Sequence, residues 1–245
     1  MHFLRFGGID DPRRRELIRA LALGLFSNGL PGCALSQSVF GAKPAKLPEG
    51  QSIYRLSGDV KINDKPANLQ TRIGPSDTIQ TGKDGEIVYV VGENSFILRG
   101  DSRVTLESGG PQSMLLNGFR LATGALLSVF PRRRSLKLAT QTATIGIRGT
   151  GVYLEAKPKQ TYFCTCYGVA DVSATNDPGS KDTVTATHHD KPLYILADEQ
   201  PGRNIRRAPF VNHTDQELML IETLAGRTPP FVFPKDDYTG PRREY

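Results

Sequence analysis

The chain has 245 residues and a formal net charge of +6, with 38% hydrophobic and 23% charged residues. That is enough apolar material for one sizeable domain, and no apolar run approaches the ~20 residues of a membrane span, which excludes an integral multi-span protein. Three cysteines exclude a disulfide scaffold, while 25 glycines and 17 prolines favour many turns, and so strands over long helices.

Residues 1–36 read as an export signal. Arg13, Arg14, Arg15, Glu16, Leu17, Ile18 and Arg19 precede an apolar stretch at 20–26, and Gly29, Pro31 and Gly32 close it. A basic end followed by a short apolar segment is the plan of a signal peptide: the positive end stays cytosolic while the apolar part enters the bilayer. Arg14 and Arg15, with Leu17, Ile18 and Arg19 behind them, resemble the twin-arginine export pattern, although Arg13 stands where that pattern has Ser or Thr. Leu30-Pro31-Gly32-Cys33 resembles a lipoprotein box. Two outcomes stay open: lipidation of Cys33, with membrane contact through the lipid, or cleavage after Ala34 or Ser36 with Cys33 discarded. Residues 37–51, rich in Ser, Gly, Ala, Pro and Lys, read as a linker.

From Ser52 the pattern changes. Apolar runs at 60–62, 87–91, 96–98, 104–106, 126–130, 136–138 and 152–154 alternate with turn residues such as Gly58-Asp59, Asn63-Asp64, Gly100-Asp101 and Gly109-Gly110-Pro111. Short β-rich runs spaced roughly 8–12 residues apart predict an all-β domain. Thr81-Gly82, Thr123-Gly124 and Thr150-Gly151 each sit beside a strand, an echo that suggests corners of a β-roll or solenoid. A twisted sandwich is the alternative. One helix is predicted at 215–225. Thr214 and Glu217 form a capping box, Leu218, Leu220, Ile221 and Leu224 give an apolar stripe, and Gly226 stops it. His213, just before the cap, is placed to staple onto Leu218. The expected fold is therefore all-β and short-stranded, a β-roll/solenoid or twisted sandwich with one C-terminal α-helix. The domain spans 52–226 and a tail follows at 227–245.

Several runs together resemble the FecR-like domain. They are Gly58-Asp59-Val60-x-Ile62-Asn63, Asp77-x-Ile79-x-Thr81-Gly82-x-x-Gly85, Ser95-Phe96-x-Leu98-Arg99, Leu121-x-Thr123-Gly124-x-Leu126-x-x-Val129-Phe130, and the whole of 140–151. The resemblance covers about 52–173 and, more loosely, the chain up to Pro230. It implies an exported, mostly β, non-catalytic module, in a family named for regulators that relay ferric siderophore signals across the envelope. Members of that family usually carry a cytoplasmic anti-sigma segment and a membrane span first. Only 19 residues precede the apolar run here, about a dozen of them before Arg13, so direct control of a sigma factor is not expected. The partner the resemblance implies is another envelope or outer-membrane protein.

Gly146, Arg148, Gly149 and Gly151 invite a nucleotide-loop reading, but no Gly-Lys-Ser/Thr follows and Leu154 occupies the third glycine position of a dinucleotide fingerprint. They read as a structural turn motif, with Arg148 placed to tie carbonyls or a carboxylate. Cys164 and Cys166 share one face of a strand. His188 and His189 follow some 22 residues later and His213 lies beyond, so a Cys₂His or Cys₂His₂ site for a Zn or Fe ion is available. Adjacent histidines on a strand point to opposite faces, leaving one of them to ligate. A redox pair in the oxidising envelope and plain buried thiols are the other two readings. For catalysis, Cys164 with His188 or His189 lacks a third positioned group and an oxyanion hole, so no catalytic residue is assigned; a small thiol enzyme is the least favoured alternative. The basic clusters, Arg132-Arg133-Arg134 at an expected hairpin tip and Arg203, Arg206 and Arg207, lack interleaved aromatics or a recognition helix, so nucleic acid is not an expected partner. The expected function is a binding or signalling accessory of the cell envelope, in the periplasm. The alternative is a metal- or redox-responsive envelope protein.

Overall fold

The computed structural model describes residues 44–110, 113, 115–197, 200–228 and 230. The export-signal residues Arg14 and Arg15, the lipidation candidate Cys33, most of the tail and the first half of the linker lie outside them. Among the described residues no helix is long and apolar enough to cross a membrane.

The chain from residue 53 onward is mostly strand. It runs through β1 (Ile53–Ser57), β2 (Val60–Ile62), β3 (Lys65–Pro66), β4 (Thr78–Thr81), β5 (Glu86–Val91), β6 (Asn94–Leu98) and β7 (Arg103–Ser108). Then come β8 (Leu116–Val129), β9 (Ser135–Ala139), β10 (Ala143–Lys157), β11 (Gln160–Ala174), β12 (Asp177–Ala186), β13 (Leu193–Leu196), β14 (Ile205–Arg207) and the helix α1 (Asp215–Leu224). All fourteen strands join one open sheet whose main path is β14-β13-β11-β10-β9-β8-β7-β4-β2-β3. The all-β class and the helix near the C-terminus are as expected.

Strand length is not. β8, β10 and β11 have 14, 15 and 15 residues, because glycines expected to end strands instead bend them. At Gly149 the backbone is left-handed (φ 56°), and a Cβ there would lie 2.3 Å from the Arg132 Cα. The expected turn at 146–151 is thus a bulge inside β10. Before it, Thr144 to Arg148 pair with β9; after it, Gly151 to Ala156 pair with β8. An extra residue in one strand kinks it and increases its twist, which lets one strand serve two partners. β8 bends likewise at Gly124 (φ 86°), packed against Ser102. The Thr123-Gly124 and Thr150-Gly151 echoes are therefore kinks within strands, while Thr81-Gly82 closes β4. The bend at Arg132 to Arg134 is no hairpin tip: β9 pairs parallel with the first half of β8. The curling second half of β8 supplies the crossover that a parallel pair needs. Arg148 does reach a carboxylate, Asp171, at 3.7 Å on the exposed face.

Two apolar layers result. The inner one contains Ile79, Ile87, Phe96, Leu98, Phe119, Leu126, Phe130 and Leu154. At its centre Phe96 stacks on Tyr89 at 4.8 Å and meets Phe130 edge-on at 5.9 Å. The outer layer lies on the other face of the same strands: Val88, Ile97, Leu127, Val129, Tyr153, Tyr162, Cys164 and Cys166 are covered by Leu218, Ile221 and Leu224 of α1. This two-sided cover explains the burial strings. β11 is buried at every position from Thr161 to Tyr167, then alternates from Ala170 onward. The helix closes as predicted. Thr214 and Glu217 make the reciprocal capping box. Gly226 N donates to Thr223 O and Arg227 N to Glu222 O, a Schellman ending. Burying each of the three helix side chains contributes roughly 1.5–3 kcal/mol. The second half of the expected linker reaches the far end of α1, where Leu47 N donates to Leu224 O at 3.0 Å.

Candidate metal centre

Alternation along β11 aims Cys164 and Cys166 at the outer layer, while Phe163 faces the inner one. Both thiols are fully buried and neither is in a disulfide. Residues two apart on a strand have Cα atoms roughly 6.6 Å apart with parallel Cβ directions, at the upper limit for a disulfide. That geometry disfavours a bridge between them.

Two further segments close over this pair. β12 returns beside β11, with Ala186 opposite Gly168, so the following bend arrives next to Cys166. Asp190 holds that bend, its carboxylate accepting from Thr187 N at 2.6 Å and His188 N at 3.2 Å. His189 N donates to Cys166 O at 2.9 Å, and its left-handed backbone (φ 55°) turns the ring inward. The second segment precedes α1. Tyr162 Oη donates to Pro209 O at 3.0 Å and accepts from Val211 N at 3.2 Å. Asn212 is left-handed (φ 59°) and donates to Glu155 Oε1 at 2.7 Å. His213 is thereby turned fully inward. Its ring stacks on Tyr153 at 4.4 Å and meets Phe210 edge-on at 4.6 Å.

The Sγ atoms of Cys164 and Cys166 and one ring nitrogen each of His189 and His213 all lie within 4.8 Å of one another. Cys164 Sγ is 3.4 Å from His189 Nδ1, and His189 Nδ1 is 3.2 Å from His213 Nε2. A tetrahedral zinc with bonds of about 2.3 Å to sulfur and 2.0–2.1 Å to nitrogen sets its ligand atoms about 3.3–3.8 Å apart.

The outer partners fix which nitrogens are free. His213 Nδ1 lies 2.7 Å from the Val211 carbonyl, which only accepts, so Nδ1 carries the hydrogen and a neutral ring leaves Nε2 bare. His189 Nε2 lies 3.0 Å from Asp215 Oδ1, which assigns its hydrogen there and leaves Nδ1 of the neutral ring bare. With His189 neutral, its Nδ1 and His213 Nε2 turn their lone pairs toward one another beside the two sulfurs; with His189 protonated, Nδ1 instead donates toward Cys164 Sγ at 3.4 Å and His213 Nε2 at 3.2 Å. Carboxylate and carbonyl partners on the far ring nitrogens are the usual outer shell of metal-binding histidines.

The acid–base properties describe a Cys164–His189 pair that shares a proton when no ion is bound. Burial opposes ionisation of Cys164, but the Cys166 thiol and the rings of His189 and His213 override it and hold the Cys164 pKa well below the thiol value. Burial and the neighbouring Cys164 push Cys166 the other way. Burial works against a charge on His189, yet Asp215 and Cys164 raise its pKa to about 8. Asp215 is itself buried, and His189 and His188 outweigh the burial and lower its pKa.

Of the residues expected here, Cys164, Cys166 and His189 converge. His188 does not join them: it lies past the end of β12, its side chain is 42% exposed, and its Nε2 contacts Asp215 at 2.9 Å. The opposite-faces argument picked one histidine but assumed a strand; a bend and a left-handed residue do the sorting instead. His213, expected to staple onto Leu218, is the fourth member of the cluster. Asp215, read only as part of a capping box, orients His189. Its position two residues after His213 was the available signal. Asp215 also supplies the third group that a Cys164–His189 pair lacked in sequence. However, Cys164 is sealed under His189, Phe210 and His213 with no exposure. A cleft of about 760 Å³ opens at the other end of α1, beside Lys46, Glu49, Arg72 and Leu224, and reaches none of the four donors.

No family model matches the chain, and no curated protein matches it. Solved structures that resemble it include two described as a "putative anti-sigma factor" from Parabacteroides distasonis ATCC 8503. The one at 1.65 Å resolution is 10% identical, with a TM-score of 0.42 over 61% of this chain and 74% of that one. The one at 2.50 Å is 12% identical, with a TM-score of 0.41 over 66% of this chain and 82% of that one.

Proposed function

We propose that this protein is an exported, non-catalytic metal-binding module of the cell envelope, which holds one zinc-class or ferrous ion through Cys164, Cys166, His189 and His213. The observation that carries the reading is the convergence of four buried donor residues, whose outer hydrogen bonds at His189 Nε2 and His213 Nδ1 turn the other ring nitrogens toward one another and toward the sulfurs. Two thiolates and two neutral imidazoles around a dication make a neutral centre, suited to a buried site. Four protein ligands leave no open position for substrate, which fits a closed structural or sensing site better than a catalytic one. The export part rests on the basic run at Arg14 and Arg15 and the apolar segment behind it. The FecR-like motifs at 58–63 and 140–151 support a binding or signalling accessory, with an envelope or outer-membrane protein as partner.

The test is to purify the exported protein without chelator and measure bound metal and free thiols. About one ion per chain, lost in Cys164→Ser and in His213→Ala, is the expected result. Two alkylatable thiols and no metal would overturn it. Replacing Arg14 and Arg15 by lysine is expected to leave the precursor in the cytoplasm, and normal export of that variant removes the twin-arginine route.

A further inference from the structure

We infer that the ion works as a latch: its binding fastens the 208–226 segment, with α1, to the sheet, and its loss releases that segment while the sheet stays folded. This rests on the metal-binding reading above. The donors are divided between the two bodies that the latch would join. Cys164 and Cys166 belong to β11, in the middle of the sheet, whereas His213 immediately precedes the helix cap Thr214. His189 stands between them, tied to the sheet by its backbone bond to Cys166 and to the first helical residue by Asp215. One ion thus closes both a sheet-to-loop and a loop-to-helix connection.

The helix has little independent means of staying folded. Ten residues are too few for a stable isolated helix in water, so α1 persists only while docked. Its other fastenings include Leu218, Ile221 and Leu224 on the outer layer, the paired contacts of Arg99 with Glu217 at 3.0 and 3.2 Å, the bond from Tyr167 Oη to Glu222, and that from Leu47 N to Leu224 O, while the stretch before it is held by Tyr162 Oη and by Asn212 on Glu155. Against them stands what docking encloses. Asp215, Cys164, Cys166, His189 and His213 are all buried. With an ion, their lone pairs and charges are satisfied. Without one, Cys164, His189, His213 and Asp215 keep their contacts with one another but lose the bonds an ion would supply across the sheet and the helix segment, so the docked segment is held less strongly. Backbone strain points the same way. Asn212 and His189 are non-glycine residues in left-handed conformations, one on each segment that brings a histidine in. Such conformations persist where surrounding contacts enforce them and relax when those contacts go.

Opening would uncover Val88, Ile97, Leu127 and Val129, which are neighbours across β5, β6 and β8 through the pairs Val88–Ile97 and Ile97–Leu127. Their backbone hydrogen bonds belong to the sheet and do not need the helix.

The experiment is hydrogen exchange on the exported full chain, with metal content measured in the same samples, as loaded with one equivalent of zinc and after chelation. Amides of 212–225 are expected to exchange at least ~10-fold faster in the metal-free protein, with β5 to β8 unchanged. His213→Ala in the presence of zinc is expected to match the metal-free rate over 212–225. Zinc bound at one per chain with equal protection of 212–225 in both states overturns the latch and leaves the metal site standing. A uniform rise in exchange across the whole domain also overturns it, since the ion would then support the entire fold. No zinc binding at all overturns the metal reading and the latch with it.

Discussion

Replacing Asp215 by asparagine isolates the electrostatic half of the proposed centre from its ligands. The carboxylate is 1% exposed, accepts from His189 Nε2 at 3.0 Å, and is shared by His188 Nε2 at 2.9 Å. Asparagine keeps the size and one acceptor oxygen, so His189 retains a partner for its Nε2 hydrogen. It loses the negative charge that makes the imidazole a stronger donor to a cation. His188 is the second donor to this carboxylate, and with its side chain 42% exposed it can exchange that contact for water. The fold should therefore survive, and the loss should fall on the ion. Removing an outer-shell partner of a ligating histidine costs about 10–100-fold in metal affinity, or about 1.4–2.7 kcal/mol. Competition for zinc against a chromophoric chelator at fixed pH reads this directly. The controls are Cys166→Ser, expected to abolish high-affinity binding, and His188→Ala, expected to stay within about threefold because its contact is partly solvated. If Asp215→Asn binds zinc like the wild type while Cys166→Ser does not, Asp215 serves only the helix terminus and the outer-shell reasoning fails.

Zinc affinity should fall steeply in acid. In the metal-free protein Cys166 keeps its proton and His189 holds one up to pH about 8, so below that pH binding displaces two protons and affinity drops by about 100-fold per pH unit. Above pH 8 only the Cys166 proton remains and the slope halves; a pH-independent constant would contradict the assigned protonation. Two glycines of the same motif should differ: Gly149→Ala meets the Arg132 backbone at 2.3 Å from a left-handed φ, whereas a Cβ on Gly146 meets nothing within 4 Å. Thermal unfolding should show Gly149→Ala destabilised by about 2–4 kcal/mol and Gly146→Ala by less than about 1, and equal effects would refute the bulge as the reason for the glycine. Phe96→Ala, at the centre of the inner aromatic cluster, should cost about 3–5 kcal/mol in urea unfolding, and a loss under about 1 kcal/mol would mean that the cluster does not carry the inner core.

Much was already decided by local sequence. Alternation along 161–167 put Cys164 and Cys166 on one face, because a strand has a period of two whatever it packs against. Thr214, Glu217 and Gly226 fixed the helix ends, because capping satisfies backbone groups within a few residues. The all-β class followed from short apolar runs between turn residues. What local sequence misjudged was the job of each glycine: Gly124 and Gly149 carry the same left-handed freedom in a turn or in a kinked strand, and only the neighbours Ser102 and Arg132 distinguish the two. The rest of the centre belonged to tertiary structure. His189 was chosen over His188 by the backbone bond to Cys166 and a left-handed residue, neither of which has a sequence period. His213 and Asp215 looked like parts of a helix start, and they are that as well. They come to lie beside Cys164 and His189, in the places the proposed centre gives to a donor and to the carboxylate that orients His189, because α1 docks on the outer face of the strand that carries the cysteines. Periodicity reports which side of its own element a residue faces. Which side of another element it meets is settled only when strand pairing and helix docking bring together positions dozens of residues apart.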